Sequence, residues 1–184
     1  MDPLVRPIIE SLIFSSELPL KQETIRQVMG NPPGDEIEKV LQEIGDDYRD
    51  ERHGFELVHV ADGYQFRTKP RYAEWIRKLR KSRGPRLTRS SLEGLAIVAY
   101  RQPVIRTEVE AIRGVDSGSV IKTLLERKLI RIVGRKDVPG RPLVYGTTRE
   151  FLHCFGLNSL SDLPTMREIE ELHKEAPPST NPPK

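Results

Sequence analysis

Apolar residues along this chain change their spacing at definite points, and those points divide it into elements. The order is clearest between residues 95 and 148. An apolar helix end, Leu95–Tyr100, runs into a short extended piece, Pro103–Arg106. A helix is expected next, with Thr107 as its N-cap and Glu110 three residues on, the pattern of a capping box. Gly114 stops it, and Asp116 is placed to cap a further helix. The apolar residues Val120, Ile121, Leu124 and Leu125 of that helix fall on one face. Leu129–Val133 reads as a β-branched strand, Gly134–Pro142 as a turn rich in glycine, proline and charge, and Leu143–Thr147 as the returning strand. Helix, short strand, helix, helix, strand, basic loop, strand is the order of a winged helix-turn-helix.

The front of the chain repeats this order. Residues 3–16 form a helical stripe of Leu4, Ile8, Ile9, Leu12 and Ile13, Leu18–Lys21 is extended, and Gln22–Met29 is a second helix ended by Gly30. After the turn at 31–34, Asp35 is expected to cap a third helix striped by Ile37, Val40, Leu41, Ile44 and Tyr48. Phe55–Val60 and Tyr64–Thr68 flank Ala61-Asp62-Gly63, a hairpin signal. A uniform shift of 84 residues lays Ile8 on Leu92, Ile13 on Ile97, Pro19 on Pro103, Ile25 on Val109 and Val28 on Ile112. It also lays Gly30 on Gly114 and Ile37, Val40 and Leu41 on Ile121, Leu124 and Leu125. Apolar and punctuating positions match while surface positions do not, which is the mark of one fold used twice. The chain is therefore expected to be α+β and helix-rich, two tandem winged helix-turn-helix domains spanning residues 1–83 and 84–164. Residues 70–83 should close the first domain with a helix. Thr148–Phe155 should be helical, Leu157–Leu163 a capped or irregular turn and Pro164–Glu175 an acidic helix, within a tail (165–184) whose end carries four prolines and is expected to be disordered.

Charge separates the two copies. The chain has 184 residues and a net charge of +3. Residues 1–70 carry a net of −6, residues 71–149 a net of +12, and the remainder −3. The front copy's third helix exposes Glu36, Glu38, Glu43, Asp46, Asp47 and Asp50, and duplex DNA carries one negative charge per roughly 1.7 Å. That face is repelled by a phosphate backbone, so protein contact is the economical reading for the first domain. The rear copy's third helix presents Ser119, Lys122, Thr123 and Glu126, a poor set for reading base edges. Its basic wing, with Arg135, Lys136 and Arg141, fits either phosphate contact or a solvated charged loop. The basic run from Arg77 to Arg89 joins the two copies.

No catalytic set is assembled. Gly134–Gly140 lacks the ending of a phosphate-binding loop, and the four histidines show no ligand spacing, so neither metal nor cofactor is expected. The single cysteine, Cys154, excludes an intramolecular disulfide, suits a reducing cytosol and is expected as a small buried hydrophobe. No apolar run reaches the roughly 20 residues of a membrane span, and the first residues show no secretory pattern, so a cytoplasmic protein is expected. Tyr64, Phe66, Trp75, Tyr145, Phe151 and Phe155 are expected mostly in cores. Tyr100, before the loop Arg101-Gln102-Pro103, fits either an interface anchor or a tyrosine holding that loop.

The segments AIVAYRQPV, EAIRGVDS, LLERKLI, GRKDVPGRPLVYGTT and FGLNSLSDLP, with IIESLIFSS and GYQFRTKP nearer the front, resemble the segregation and condensation protein B (ScpB) family over roughly residues 4–164. The resemblance implies tandem winged helices that do not serve mainly as DNA readers, and homodimers formed largely through the first domain. It also implies binding to an ScpA-type kleisin that bridges an SMC ATPase, with hydrolysis belonging to the SMC protein, and a nucleoid-associated role in chromosome condensation and segregation. It makes Tyr100, Arg101, Gln102 and Pro103, with Arg135, Lys136, Val138, Arg141, Pro142 and Tyr145 on and beside the wing, candidates for holding the kleisin. The competing reading is a tandem winged-helix transcription regulator using the basic region 71–149; otherwise DNA binding is weak and non-specific.

Overall fold

The computed structural model describes residues 3–79, 86–165, 167–169 and 171. Its first half runs α1 (Val5–Ser15), α2 (Gln22–Val28), α3 (Gly34–Arg49), β1 (Phe55–Val60) and β2 (Gly63–Thr68). A single 3-10 turn, Pro70–Tyr72, leads into α4 (Ala73–Leu79). The second half runs α5 (Arg89–Arg101), β3 (Val104–Ile105), α6 (Arg106–Arg113), α7 (Gly118–Glu126), β4 (Ile130–Arg135), β5 (Leu143–Thr147) and α8 (Arg149–Phe155). The 84-residue shift places the first residues of α1, α2 and α3 on those of α5, α6 and α7. Each half is a winged helix with its own core. Ile9, Ile13, Ile25, Ile37, Val40, Leu41 and Ile44 pack together in the first, Leu95, Val98, Val109, Ile121, Leu124 and Phe151 in the second. No described helix is long and apolar enough to cross a membrane.

The wings follow from local chemistry. β1 and β2 pair in register from Phe55↔Thr68 to Val60↔Gly63, turning on Ala61 and Asp62, both at positive φ. Gly63 is required there, since a Cβ would lie 2.8 Å from the Pro19 backbone. In the second half β5 lies between β3 and β4. Gly94 lets α5 and α7 approach closely, because a Cβ would sit 2.5 Å from Val120 Cγ1.

Several helix starts differ from the expectations. The cap of α6 is Ile105, not Thr107, and Glu108 accepts from the Ile105 N–H at 2.9 Å. β3 ends at Ile105, so the chain enters the helix directly from the strand and the capping pair moves two residues upstream. Glu110 instead accepts from the Ser117 N–H at 3.0 Å. Ser117 holds the cap position of α7, although Asp116 accepts from Gly118 N–H at 3.0 Å; α3 begins at Gly34, after Pro33. The first helices also bury faces one residue out of step: Ile9 and Ile13 in α1 correspond to positions 93 and 97, but α5 buries Gly94 and Val98. Leu4, Ile8 and Val28, expected inside, are exposed, as are Leu92 and Ile112, the partners of the last two in the repeat. Trp75 and Phe155 are also exposed, and Leu125 is half-buried. Cys154 lies at the surface, because α8 buries Phe151 and turns its next turn outward; partial desolvation of its sulfur and the neighbouring Glu150 carboxylate raise its thiol pKa. Of the expected acidic helix, Arg167–Ile169 and Glu171 are helical; its end, the last residues of the basic helix before Arg86 and the proline-containing tail lie outside the described residues.

The two halves meet where the first hairpin's turn rests on α8. Arg149 donates to Ala61 O at 2.8 Å and to Pro19 O at 3.1 Å. Ala61 N–H donates to Leu157 O at 2.8 Å, and Asp62 N–H to Asn158 Oδ1 at 2.9 Å. From β2, Arg67 donates to His153 O at 2.9 Å, and the His153 ring lies 3.0 Å from Gln65 Oε1. This is a polar clasp, and charged donors to backbone carbonyls are its strongest members.

Two substitutions test these statements. Leu124→Asp places an unpaired charge in a fully buried site, a loss on the order of 3–5 kcal/mol, and should leave the second half unfolded by near-ultraviolet circular dichroism and hydrogen exchange. Arg149→Ala should weaken the clasp by about 1–3 kcal/mol without unfolding either core, read as a larger maximum dimension in small-angle scattering at unchanged helicity.

Candidate partner-binding surfaces

The loop after α5 is held by its own side chains. Gln102 Nε2 donates to Ala99 O at 3.1 Å and to Thr147 Oγ1 at 3.0 Å, and its Oε1 accepts from Thr147 N–H at 2.8 Å. Gln102 is thereby committed to fastening the loop onto β5. Tyr145, opposite Val104 in the sheet, is 7% exposed and belongs to the core. Tyr100 is 43% exposed and donates its hydroxyl to Pro164 O at 2.7 Å, so it both anchors the segment after α8 and keeps a free ring face. Arg101 and Pro103 are exposed beside it.

The wing is built differently. Lys136 N–H donates to Pro142 O at 2.9 Å, Arg141 N–H to Val138 O at 2.9 Å, and Arg135 to Arg141 O at 3.1 Å. These bonds close the turn and leave the Arg135, Val138 and Arg141 side chains in solvent, with Pro142 half-buried. Lys136 reaches Glu108 at 2.6 Å and ties the wing to the start of α6. The loop sits at the Thr147 end of β5 and the wing beyond its Leu143 end. The two sequence-derived patches are therefore about 13 Å apart along the strand, and the structure does not merge them into one site.

In the first half, α3 keeps its carboxylates outside. Glu38, Glu43, Asp46 and Asp50 are exposed, while Glu36 and Asp47 are half-buried, Asp47 accepting from Arg6 at 2.5 Å. The C-terminal end of α3 is closed by Lys69, 8% exposed, whose Nζ donates to the carbonyls of Arg49 (3.1 Å) and Asp50 (2.6 Å). A cation there is favoured by the helix dipole.

A second surface escaped the sequence reading. Val5 and Ile8 of α1 line a groove of about 310 Å³ with Val28, Met29 and Pro32. Ile8 and Val28 are 41% and 63% exposed, with Leu4 nearby in sequence at 61%. The available signal was the width of the apolar sector in α1, which exceeds what one buried stripe needs. Among the described residues, no group of three or more His, Cys, Asp or Glu side chains is arranged to hold a metal ion.

The model of the segregation and condensation complex subunit ScpB family matches residues 7–166. The chain belongs to this family. It is 51% identical over 172 residues to segregation and condensation protein B of Syntrophotalea carbinolica, covering 94% of this chain and 87% of that protein. It is 46% identical over 171 residues to the Myxococcus xanthus protein of the same name, covering 93% of this chain and 52% of the longer relative. A crystal structure of a dimer of ScpB N-terminal domain complexed with ScpA peptide matches at 26% identity and a TM-score of 0.40, covering 43% of this chain and 94% of that one. As an ScpB-family chain, this one combines two winged helices with carboxylates on the first third helix and cations on the second wing.

The wing's tether has a pH signature. Glu108 is held below the ordinary carboxylate value of 4.5 by Lys136 first and the Ile105 N–H second. Glu110 is held below it by the Ser117 N–H and then Arg106. A lowered folded-state pKa adds stability that is present above pH 4.5 and lost as pH falls toward the lowered values. Glu108→Gln should flatten the acid limb of the stability–pH curve below pH 4.5 and raise amide exchange in residues 135–142 at neutral pH, measured by hydrogen exchange.

Proposed function

We propose that this ScpB-family chain is a non-enzymatic subunit of an SMC–ScpA–ScpB condensin-like complex. It binds an ScpA-type kleisin and, through it, the SMC ATPase, and so supports chromosome condensation and segregation during cell division. The observation that carries this reading is the exposed acidic face of α3. A winged helix that reads DNA lays that helix in the major groove. Here the approach would set Glu38, Glu43 and Asp46 against phosphates, while a polypeptide partner is not repelled.

On this reading the first domain dimerises and the second contributes kleisin contacts. The groove beside Ile8 and Val28 is apolar surface of the kind that homodimers cover. On the second domain, Tyr100, Arg101 and Pro103 form one contact patch, and Arg135, Val138, Arg141 and Pro142 the other. The protein works in the cytoplasm at the nucleoid, and its DNA contacts are weak and non-specific.

Titration of the purified chain with an ScpA-type kleisin by calorimetry should show saturable binding. Short duplex DNA should bind weakly, without sequence preference, and be released by moderate salt. Absence of kleisin binding, joined to tight sequence-dependent DNA binding, would establish a transcription regulator instead.

A further inference from the structure

The second domain holds a groove of about 220 Å³ between the start of α5 and one side of α7. Ser119, Thr123 and Arg127 recur along that side of α7 at i, i+4 and i+8. Arg86, Thr88 and Ser90, on the chain entering α5, line the opposite wall.

Its lining sets this groove apart. Glu38 and Asp46 line the groove beside the first hairpin, Glu36 the one beside Ile8, and Asp162, Glu168 and Glu171 the one after α8. No carboxylate lines the α5–α7 groove, which carries two guanidinium groups among hydroxyls. Thr88 is committed to capping α5, its Oγ1 accepting from the Ser91 N–H at 3.1 Å, and Thr123 donates to Ser119 O at 2.9 Å. The side chains of Arg86, Ser90 and Ser119 make no hydrogen bond or ion pair among the described residues. Arginine and hydroxyl donors without a competing acid are the partners that phosphate oxygens take.

Charge around the groove argues for a chain of phosphates rather than one anion. Residues 71–149 carry a net of +12. Lys128 and Arg131, just past Arg127, are exposed, and Lys122 stands on α7 at 4.0 Å from Glu126. The wing has less to offer, since Lys136 is paired with Glu108 and Arg135 donates to Arg141 O. We propose that the α5–α7 groove seats the phosphate backbone of duplex DNA. Arg86 and Arg127 meet neighbouring phosphates, and the Ser90 and Ser119 hydroxyls donate to their oxygens. No base is read, because the outer side of α7 offers Lys122 and Glu126 where paired arginine, asparagine or glutamine donors would be needed. The weak DNA contact named above thus has a definite seat, separate from kleisin binding.

The experiment is fluorescence anisotropy of the full chain with two labelled duplexes of about 20 bp and unrelated sequence, at about 50–150 mM salt. Arg86→Ala/Arg127→Ala is compared with Arg135→Ala/Arg141→Ala, which removes the same charge from the wing, and with Ser119→Glu; each is also melted. The groove pair should bind both duplexes at least fivefold more weakly and lose about two from the slope of log affinity on log salt. The wing pair should stay within twofold of the parent. Ser119→Glu places an acid in the first turn of α7, where the helix dipole favours it. It should melt no lower than the parent and still lose at least fivefold in affinity, which decides the matter should the groove pair prove unstable. Equal losses from groove and wing pairs would show net charge without a seat and overturn the proposal. So would unchanged binding by Ser119→Glu, no binding by the parent at the lowest salt, or displacement of the duplex by polyglutamate as readily as by unlabelled DNA, which would make the groove a site for acidic polypeptide. Kleisin titration is a separate measurement, so either reading can fail while the other stands.

Discussion

Each half of this protein depends on a backbone bridge between the segment that joins its first two helices and the returning strand of its hairpin. In the first half Leu20 and Tyr64 exchange both hydrogen bonds, each at 2.8 Å. In the second, Val104 pairs with Tyr145 and Ile105 with Val144. Leu20 and Val104 are 84 residues apart, the period of the repeat. A two-stranded hairpin is marginal in water by itself. The bridge adds backbone pairing to the outer side of the returning strand, as an isolated pair in the first half and as β3 in the second, with Leu57, Tyr64 and Phe66 or Tyr145 closing the core beneath.

On that shared skeleton the two copies diverge by lengthening and by charge. α3 runs to Arg49, well past the position matching the end of α7, and the added turns carry Asp46 and Asp47. Lys69 then secures the longer helix by satisfying its last carbonyls from β2's far end. α7 stops at Glu126, and the following strand carries the cationic wing. The result is one acidic and one basic exposed face, joined by the Arg149 clasp. Such an object suits gripping a polypeptide at more than one place, where several modest contacts on one chain reinforce each other.

The elements were legible because their causes are local. Periodicity located the helices, Gly30 and Gly114 ended two of them in positive φ, and the Asp62-Gly63 pair marked the first turn. The acidic face of α3 was equally legible, since charge at helical spacing has nowhere to go but outward. The site residues were less so. Gln102 and Tyr145 look like surface candidates in sequence, yet the first is fastened to Thr147 and the second fills the core.

The sequence alone therefore determined the repeat, the order of elements and the sign of each exposed face, because periodicity, turn chemistry and charge act over a few residues. Tertiary structure alone decided which apolar residues of α1 stay outside, since that depends on how a helix is rotated against its neighbours. It also decided the partners of Arg149, 88 and 130 residues away. Whether a glycine is required was likewise invisible until the space around it was built: Gly45 and Gly94 are both helix glycines, and only the atoms packed near Gly94 tell them apart.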